Sequence, residues 1–314
     1  MKPMRVAYFG SGAFGLPTLA MLCERADVVG IVSQPSRPAG RGGQMSPTPV
    51  AAWAMDHCSN APLLTPEDVN EPGVVEQIRA MGAEAWVVVA FGQKLGERLL
   101  EGVFAINLHA SRLPRWRGAS PIQSAILAGD VETGNSVITL AQRMDAGLVL
   151  AQSRVAIDSA WTAADLEHVL SKDGPSLIWD VLEAHRRGEV YGQVQEPSLV
   201  TRAAKLSRAD AWVKFDDTAE ACRRRIHGLN PWPGVGVSLN GQSIKLLRAA
   251  VVEAAVAEAE EVGVGGVVNP VLGTVRCGGG TVLRVLEVQP SGGRKMTWAE
   301  FARGRNVKRG DHMA

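Results

Sequence analysis

Two polar residues, Asn107 and His109, close an apolar run that begins at Val103, and their types make this the first place to look for chemistry. Side chains alternate across a strand, so residues at i and i+2 share one face. A carboxamide donor beside an imidazole can grip a carbonyl oxygen as negative charge builds on it, and the imidazole can move a proton near neutral pH. The pair points to acyl-transfer chemistry. A plainer use is also open: Asn107 can cap the following turn, with His109 a hydrogen-bonded histidine at a strand end.

A third titratable group stands in Met144-Asp145-Ala146-Gly147, after the apolar run Ser136–Leu140. Following that strand, Asp145 is placed on the same rim of the sheet as His109. An Asp two residues before a Gly also suits an Asx turn.

The elements that must hold these groups alternate in type. Strand-like runs Arg5–Phe9, Val28–Ser33, Ala85–Phe91, Val103–Leu108 and Ser136–Leu140, with a helical stretch from the first strand to Arg25, predict a parallel sheet with helices on both faces. Ligands of such sheets bind outside the carboxyl ends of the strands, where Asn107 and His109 fall. From Trp161 to Arg187 apolar residues recur at helical spacing, interrupted at Gly174-Pro175, which predicts two helices. The polar, aperiodic stretch Tyr191–Ser207 reads as a linker.

Beyond it, a helix over Thr218–Leu229 and strands over Val235–Leu239, Ile244–Val252, Gly273–Cys277 and Val282–Val288 predict a small barrel or sandwich. The Ala-, Glu- and Gly-rich stretch Glu253–Gly266 reads as a mobile surface loop. The expected division is a catalytic domain over 1–190, a linker over 191–208 and a smaller domain over 209–314.

Composition bounds the function. A chain of 314 residues with 46% hydrophobic and 21% charged residues has room for about two globular domains. No apolar run approaches the ~18 residues that span a bilayer, and Met1-Lys2-Pro3-Met4-Arg5 leads straight into a strand, so a cytoplasmic protein without a membrane partner is expected. Cys23, Cys58, Cys222 and Cys277 form no C-x-x-C pair, which favours structural thiols over a zinc site or disulfides.

The net charge of +1 conceals an asymmetry: residues 1–200 hold 16 Lys and Arg against 21 Asp and Glu, and residues 201–314 hold 17 against 11. A basic C-terminal part suits a polyanionic partner, because phosphate contacts supply most sequence-independent nucleic-acid affinity.

Gly10-Ser11-Gly12-Ala13-Phe14-Gly15 fits the dinucleotide fingerprint after a strand and before a helix. The end of the second strand reads Ser33-Gln34-Pro35-Ser36-Arg37, without the acid that grips a ribose; Arg37 leaves an NADP-binding oxidoreductase as a rival from another class.

The stretch Ile106–Gln123, through Pro114-Arg115-Trp116-Arg117-Gly118-Ala119 and Pro121-Ile122-Gln123, resembles the signature of the 10-formyltetrahydrofolate-dependent formyltransferases. It closely resembles the members that act on methionyl-tRNA. The resemblance implies a Rossmann-like formyltransferase domain followed by an OB-like β-barrel, and formyl transfer to an α-amino group, with Asn107, His109 and Asp145 catalytic. In that scheme Asp145 orients His109 and favours its protonated form. It further implies that the folate donor lies along Ser111, Arg112, Leu113 and Pro114, with the backbone of Phe91 and Gly92 near the pterin, and that no metal takes part.

The resemblance extends to the partner. Arg37-Pro38-Ala39-Gly40-Arg41-Gly42 matches the family's acceptor-stem insertion, which implies tRNA contacts by Arg37 and Arg41. Ala203-Ala204-Lys205-Leu206-Ser207-Arg208 is similar to the interdomain segment, and Arg223-Arg224-Arg225 precedes Asn230-Pro231-Trp232-Pro233, another family element. Lys205, Arg223 and Arg224 are thereby candidate tRNA contacts, with Arg294, Lys295, Arg303, Arg305, Lys308 and Arg309 as a further basic cluster. No obligate protein partner is implied.

Departures from the family pattern are Arg112 for a leucine, Phe91 for a tyrosine, Ala141-Gln142-Arg143 for Asp-x-Gly, Ala146 for a threonine, Gly43-Gln44 for a lysine pair and Arg202 for a tyrosine. Within the same chemistry, the rival is formylation of an amino sugar or small amine, which needs neither the Arg37–Arg41 loop nor a basic second domain. A catalytically idle tRNA-binding relative is the third reading.

Overall fold

Uninterrupted apolar runs make the central strands, as expected of a sheet covered on both faces. These are β1 (Arg5–Gly10), β2 (Asp27–Val32), β6 (Ala85–Val89) and β7 (Phe104–His109). The short β5 (Leu63–Leu64) adds an edge, and β3 (Arg37–Ala39) and β4 (Gln44–Ser46) form a separate two-stranded ribbon. The computed structural model describes residues 2–39, 43–252 and 261–314. Arg41 and Glu253–Glu260, the latter within the predicted mobile loop, lie outside the described residues.

The chain divides into two units, and the division is not a single cut. One unit comprises Met1–Gly118, Gly134–Val155 and Glu167–Arg202, and the other Ala119–Thr133, Ala156–Leu166 and Ala203–Ala314. Within the first, the described residues form a seven-stranded sheet with β5, β2, β1, β6 and β7 in that order and all parallel.

The last two strands correct the all-parallel expectation. Ser136–Thr139 pairs antiparallel with β7, and Val149–Gln152 pairs antiparallel with Ser136–Thr139. Ser136 therefore stands opposite His109, and the strand runs away from the catalytic rim before the chain turns back through Asp145.

Helices α1 (Leu16–Arg25), α2 (Pro49–His57) and α3 (Pro72–Ala80) connect the parallel strands, each with Pro at its start, where a missing N–H costs nothing. After α4 (Glu97–Leu100) and α5 (Pro121–Ala128), the Trp161–Arg187 stretch holds one helix, α6 (Ala163–Arg187), where two were expected. Buried Leu166 and Leu170 on one side of Pro175, and Ile178 and Leu182 on the other, keep the helix continuous across the lost hydrogen bond. Tyr191–Arg202 is packed into the first unit, with Gln193 bridged to Val149 and Gln195 buried. Within this polar stretch the Gln195 amide bonds the backbone of Asp145 and Gly147.

In the second unit, Val235–Leu239, Gln242–Val252, Val282–Pro290, Thr274–Arg276 and Val267–Asn269 form one antiparallel sheet in that order. The C-terminal segment joins both edges: Ser238 and Ala314 exchange backbone bonds, and Val267 bonds to Gly310 and Asp311. That linkage draws the sheet edges together as a small barrel requires. Phe215, Cys222, Ile226, Trp298 and Phe301 are buried in its core, contributed in part by α7 (Ala219–Gly228). The helix Trp298–Arg305 was not expected, although Thr297 and Glu300 form a capping box at its start.

Candidate active site

Asn107 and His109 occupy the carboxyl end of β7, an interior strand pinned by β6 on one side and Ser136–Thr139 on the other. Their shared face follows from strand alternation, and the structure adds the third group. Asp145 Oδ1 lies 3.7 Å from His109 Nδ1, with both side chains largely buried. On its other side the imidazole presents Nε2 to the Trp116 carbonyl oxygen at 2.9 Å. Both ring nitrogens thus face acceptors, which fixes the plane of the ring.

Asp145 sits in an unusual conformation, φ +54°, in the left-handed region that Asp tolerates better than most residues. Several contacts hold it. Oδ2 accepts the Gly118 N–H at 2.8 Å. Gln195 donates Nε2 to the carbonyls of Asp145 and Gly147, both at 2.8 Å, and accepts Arg117 Nε and Nη2 at 2.9 and 2.7 Å. Gly147 packs so closely on the Thr139 carbonyl that a Cβ there would collide with it. Burial lowers the Arg117 pKa from its usual value, and the Asp145 charge opposes that shift.

The loop after β7 is braced from the antiparallel strands. Ser111, fully buried, donates Oγ to the Arg115 carbonyl at 2.6 Å, and Ser136 Oγ donates to the Ser111 carbonyl and accepts the Leu113 N–H. Gln152 Nε2 donates to the Leu113 carbonyl and to Ser136 Oγ, each at 2.8 Å. Of the four residues expected along the donor, Ser111 and Leu113 are turned inward, and Arg112 and Pro114 are half-buried.

Phe91 belongs to the core, its ring 5.7 Å from that of Phe9 at a steep angle, and its carbonyl accepts Ser11 Oγ at 2.9 Å. Gly92, next in the chain, is exposed. A groove of about 670 Å³ is lined by Leu95, Glu97, Leu100, Leu140 and Gln142, from the segments that follow Gly92 and precede Asp145.

Asn107 stands apart from these constraints. Its half-buried amide makes no side-chain hydrogen bond among the described residues, whereas the neighbouring His109 and Asp145 are each bonded to backbone. The glycine fingerprint of β1 has a packing explanation: Gly15 lies against the buried Tyr8 ring, whose hydroxyl donates to the Gly15 carbonyl at 2.9 Å.

The candidate tRNA contacts differ among themselves. Arg37 is exposed on the β3–β4 ribbon and pairs with Glu67 at 2.6 Å. Lys205 is exposed. Arg223 is nearly buried, bonded to both Glu220 oxygens at 2.7 Å and to the Ser159 carbonyl. Arg224 pairs with Glu220 at 2.6 Å and reaches the Ala128 carbonyl, and Arg225 lies 3.4 Å over the Trp212 ring. The triplet is engaged within its own unit.

Sequence reasoning missed Gln195, Thr201, Ser136 and Gln152. Ser136 was reachable, since an antiparallel reading of its strand sets it opposite His109; the others stand in stretches with no period or motif.

The matching sequence families fit this geometry. Residues 4–182 match the Formyl transferase family and residues 205–306 its C-terminal domain, so the class of protein that the fold and rim define is a formyl transferase. The chain belongs to that family, and within it to the methionyl-tRNA formyltransferases. The protein of that name from Symbiobacterium thermophilum is 38% identical over 310 residues, covering 98% of this chain and 94% of the relative. That of Bdellovibrio bacteriovorus is 37% identical over 320 residues, covering 100% and 99%.

Solved structures share the fold at low identity. WlaRD, a sugar 3N-formyl transferase determined in the presence of dTDP and 5-N-formyl-THF, superposes with a TM-score of 0.64 at 14% identity over 91% of this chain and 98% of that one. HypX from Aquifex aeolicus with tetrahydrofolic acid gives 0.62 at 15% over 96% and 47%. Methionyl-tRNA formyltransferase from Clostridium thermocellum gives 0.54 at 14% over 80% and 95%.

Proposed function

We propose that the protein transfers the formyl group of 10-formyltetrahydrofolate to the α-amino group of methionyl initiator tRNA. The observation that carries this reading is the His109–Asp145 contact at the end of β7, with Asn107 two residues away on the same strand, in a chain whose relatives over nearly full length bear that name. The free amine attacks the formyl carbon, a C–N bond forms, and the carbonyl oxygen becomes an oxyanion. Asn107, with an amide not otherwise engaged among the described residues, donates to that oxygen. The His109 Nε2–H can join it by exchanging the Trp116 carbonyl for the oxyanion.

Aminoacyl amines titrate at roughly 8 or below, so a modest base suffices to take the proton that the amine loses. Asp145, with His109 beside it, is assigned that transfer; the oxyanion then collapses to the formamide, the bond to the folate nitrogen breaks, and tetrahydrofolate leaves with the proton. Arg112, Pro114, the backbone of Phe91 and Gly92, and the adjoining groove are assigned to the donor, with Ser111 and Leu113 holding the loop in shape. Groove volume is within the range of small-molecule sites. No metal step is invoked.

The tRNA is assigned to Arg37 and Arg41 at the acceptor end and to Lys205 and Arg224 on the C-terminal side. Arg223 supports Arg224 through Glu220. Residues 1–190 are thus the proposed catalytic domain and 209–314 the proposed tRNA-binding domain. No helix among the described residues is long and apolar enough to cross a membrane; the proposed setting is cytoplasmic.

The test is formyl transfer from radiolabelled 10-formyltetrahydrofolate to methionyl initiator tRNA, run beside an amino-sugar nucleotide and a simple amine. Transfer to the tRNA alone is expected; preferential transfer to the amino sugar would overturn the assignment.

A further inference from the structure

The two sequence families stop at residue 182 and resume at residue 205, yet the stretch between them reaches the catalytic loop from two directions. Gln195, 6% exposed, spends both amide hydrogens on the carbonyls of Asp145 and Gly147 and takes both Arg117 donors on its oxygen. A carboxamide has two donors and two lone pairs, so this side chain has nothing left to offer elsewhere. Thr201 accepts the Trp116 N–H on Oγ1 at 2.8 Å, its carbonyl accepts the Arg117 N–H at 3.0 Å, and its own N–H donates to the Pro114 carbonyl at 3.4 Å.

We infer that Gln195 and Thr201 are positioning residues of the active site: Gln195 fixes the turn that aims Asp145, and Thr201 fixes the Trp116 peptide whose carbonyl orients His109. Left-handed backbone at a residue other than glycine persists only where surroundings over-determine it. At Asp145 the over-determining donor comes from a residue fifty positions away in sequence. An apolar residue in place of Gln195 fills the same volume but leaves two carbonyls without a donor and Arg117 without an acceptor. The catalytic pair is therefore clamped on its carboxylate side by Gln195 and on its imidazole side by Thr201.

This inference rests on the formyl-transfer reading, and a double-mutant cycle separates the two. Gln195→Leu, Asp145→Asn and the double variant are compared by steady-state transfer to methionyl-tRNA, with thermal melts alongside. If Gln195 acts through Asp145, Gln195→Leu lowers kcat by about 10- to 100-fold with both KM values changed by less than about threefold. The double variant is then no more than about twofold slower than Asp145→Asn alone.

Gln195→Glu, which keeps an acceptor for Arg117 but has no N–H for the two carbonyls, falls with Gln195→Leu. If Gln195→Leu melts too low to assay, Thr201→Val takes its place in a cycle with His109→Ala, with the same non-additivity expected. Either kcat within about twofold of the parent, or losses that multiply in the double variant, overturns the inference. A parent protein with no transfer to methionyl-tRNA overturns the functional reading instead.

Discussion

The end of β7 and the first turns of α7 both carry closely spaced polar residues, and the structure treats them in opposite ways. At α7, Arg223 and Arg225 are spent internally, on Glu220, on the Ser159 carbonyl and on the Trp212 ring. At β7, His109 and Asp145 are held by backbone groups while the Asn107 amide beside them is left without a side-chain partner among the described residues. The contrast teaches that clustering alone does not mark a site. A polar group that the fold has positioned but not satisfied is the better sign, because a satisfied one must first break a bond to meet a substrate.

The largest effect that can break this comparison is expected at Asp145. Asp145→Asn retains an oxygen for the Gly118 N–H, so the fold should survive while turnover falls by on the order of 10²- to 10⁴-fold. A folded variant with undiminished kcat would place the carboxylate among structural turns.

The second effect concerns stability in the α7 region. His227 is buried, its Nε2 accepts the Ala249 N–H at 3.0 Å, and burial, with Arg223 and Arg248 nearby, lowers its pKa to about 4. Because the unfolded chain takes up that proton near pH 6.5 and the folded one only near pH 4, acidification through this window favours unfolding. The expected loss between pH 7 and pH 5 is about 2 kcal/mol. Chemical denaturation at the two pH values reads it, and His227→Gln, which keeps an acceptor, should flatten the dependence.

Arg223→Ala sharpens the comparison at a smaller scale. It should cost about 1–2 kcal/mol of stability by stripping donors from Glu220 and the Ser159 carbonyl, while changing the salt dependence of tRNA binding by less than about one unit of slope. Arg37→Ala should do the reverse. The smallest effect is expected from Glu67→Gln, which releases the exposed Arg37 and should tighten tRNA by less than about 1 kcal/mol.

Strand period puts Asn107 and His109 on one face, while a catalytic role for them and the choice of Asp145 as the acid rest on the family resemblance. The direction of the strand before Asp145 was misread, because an apolar tetrapeptide gives no sign of polarity; Asp145 reaches His109 by a returning turn and not by a shared parallel rim. The helix break at Gly174-Pro175 failed because burial on both sides outweighs one missing bond. Gln195 was illegible: a single amide in a polar stretch acquires meaning only from the carbonyls that folding brings to it. The same limit applied to Arg223, whose charge is visible in sequence and whose partners are not.

The most direct measurement is single-turnover formyl transfer to methionyl initiator tRNA by Asn107→Ala, beside the parent protein under saturating 10-formyltetrahydrofolate. Loss of one oxyanion donor predicts a rate lower by roughly 100- to 1000-fold with an unchanged melting temperature. A rate equal to the parent's in a fully folded variant would contradict the claim that the end of β7 is where the formyl oxygen is held.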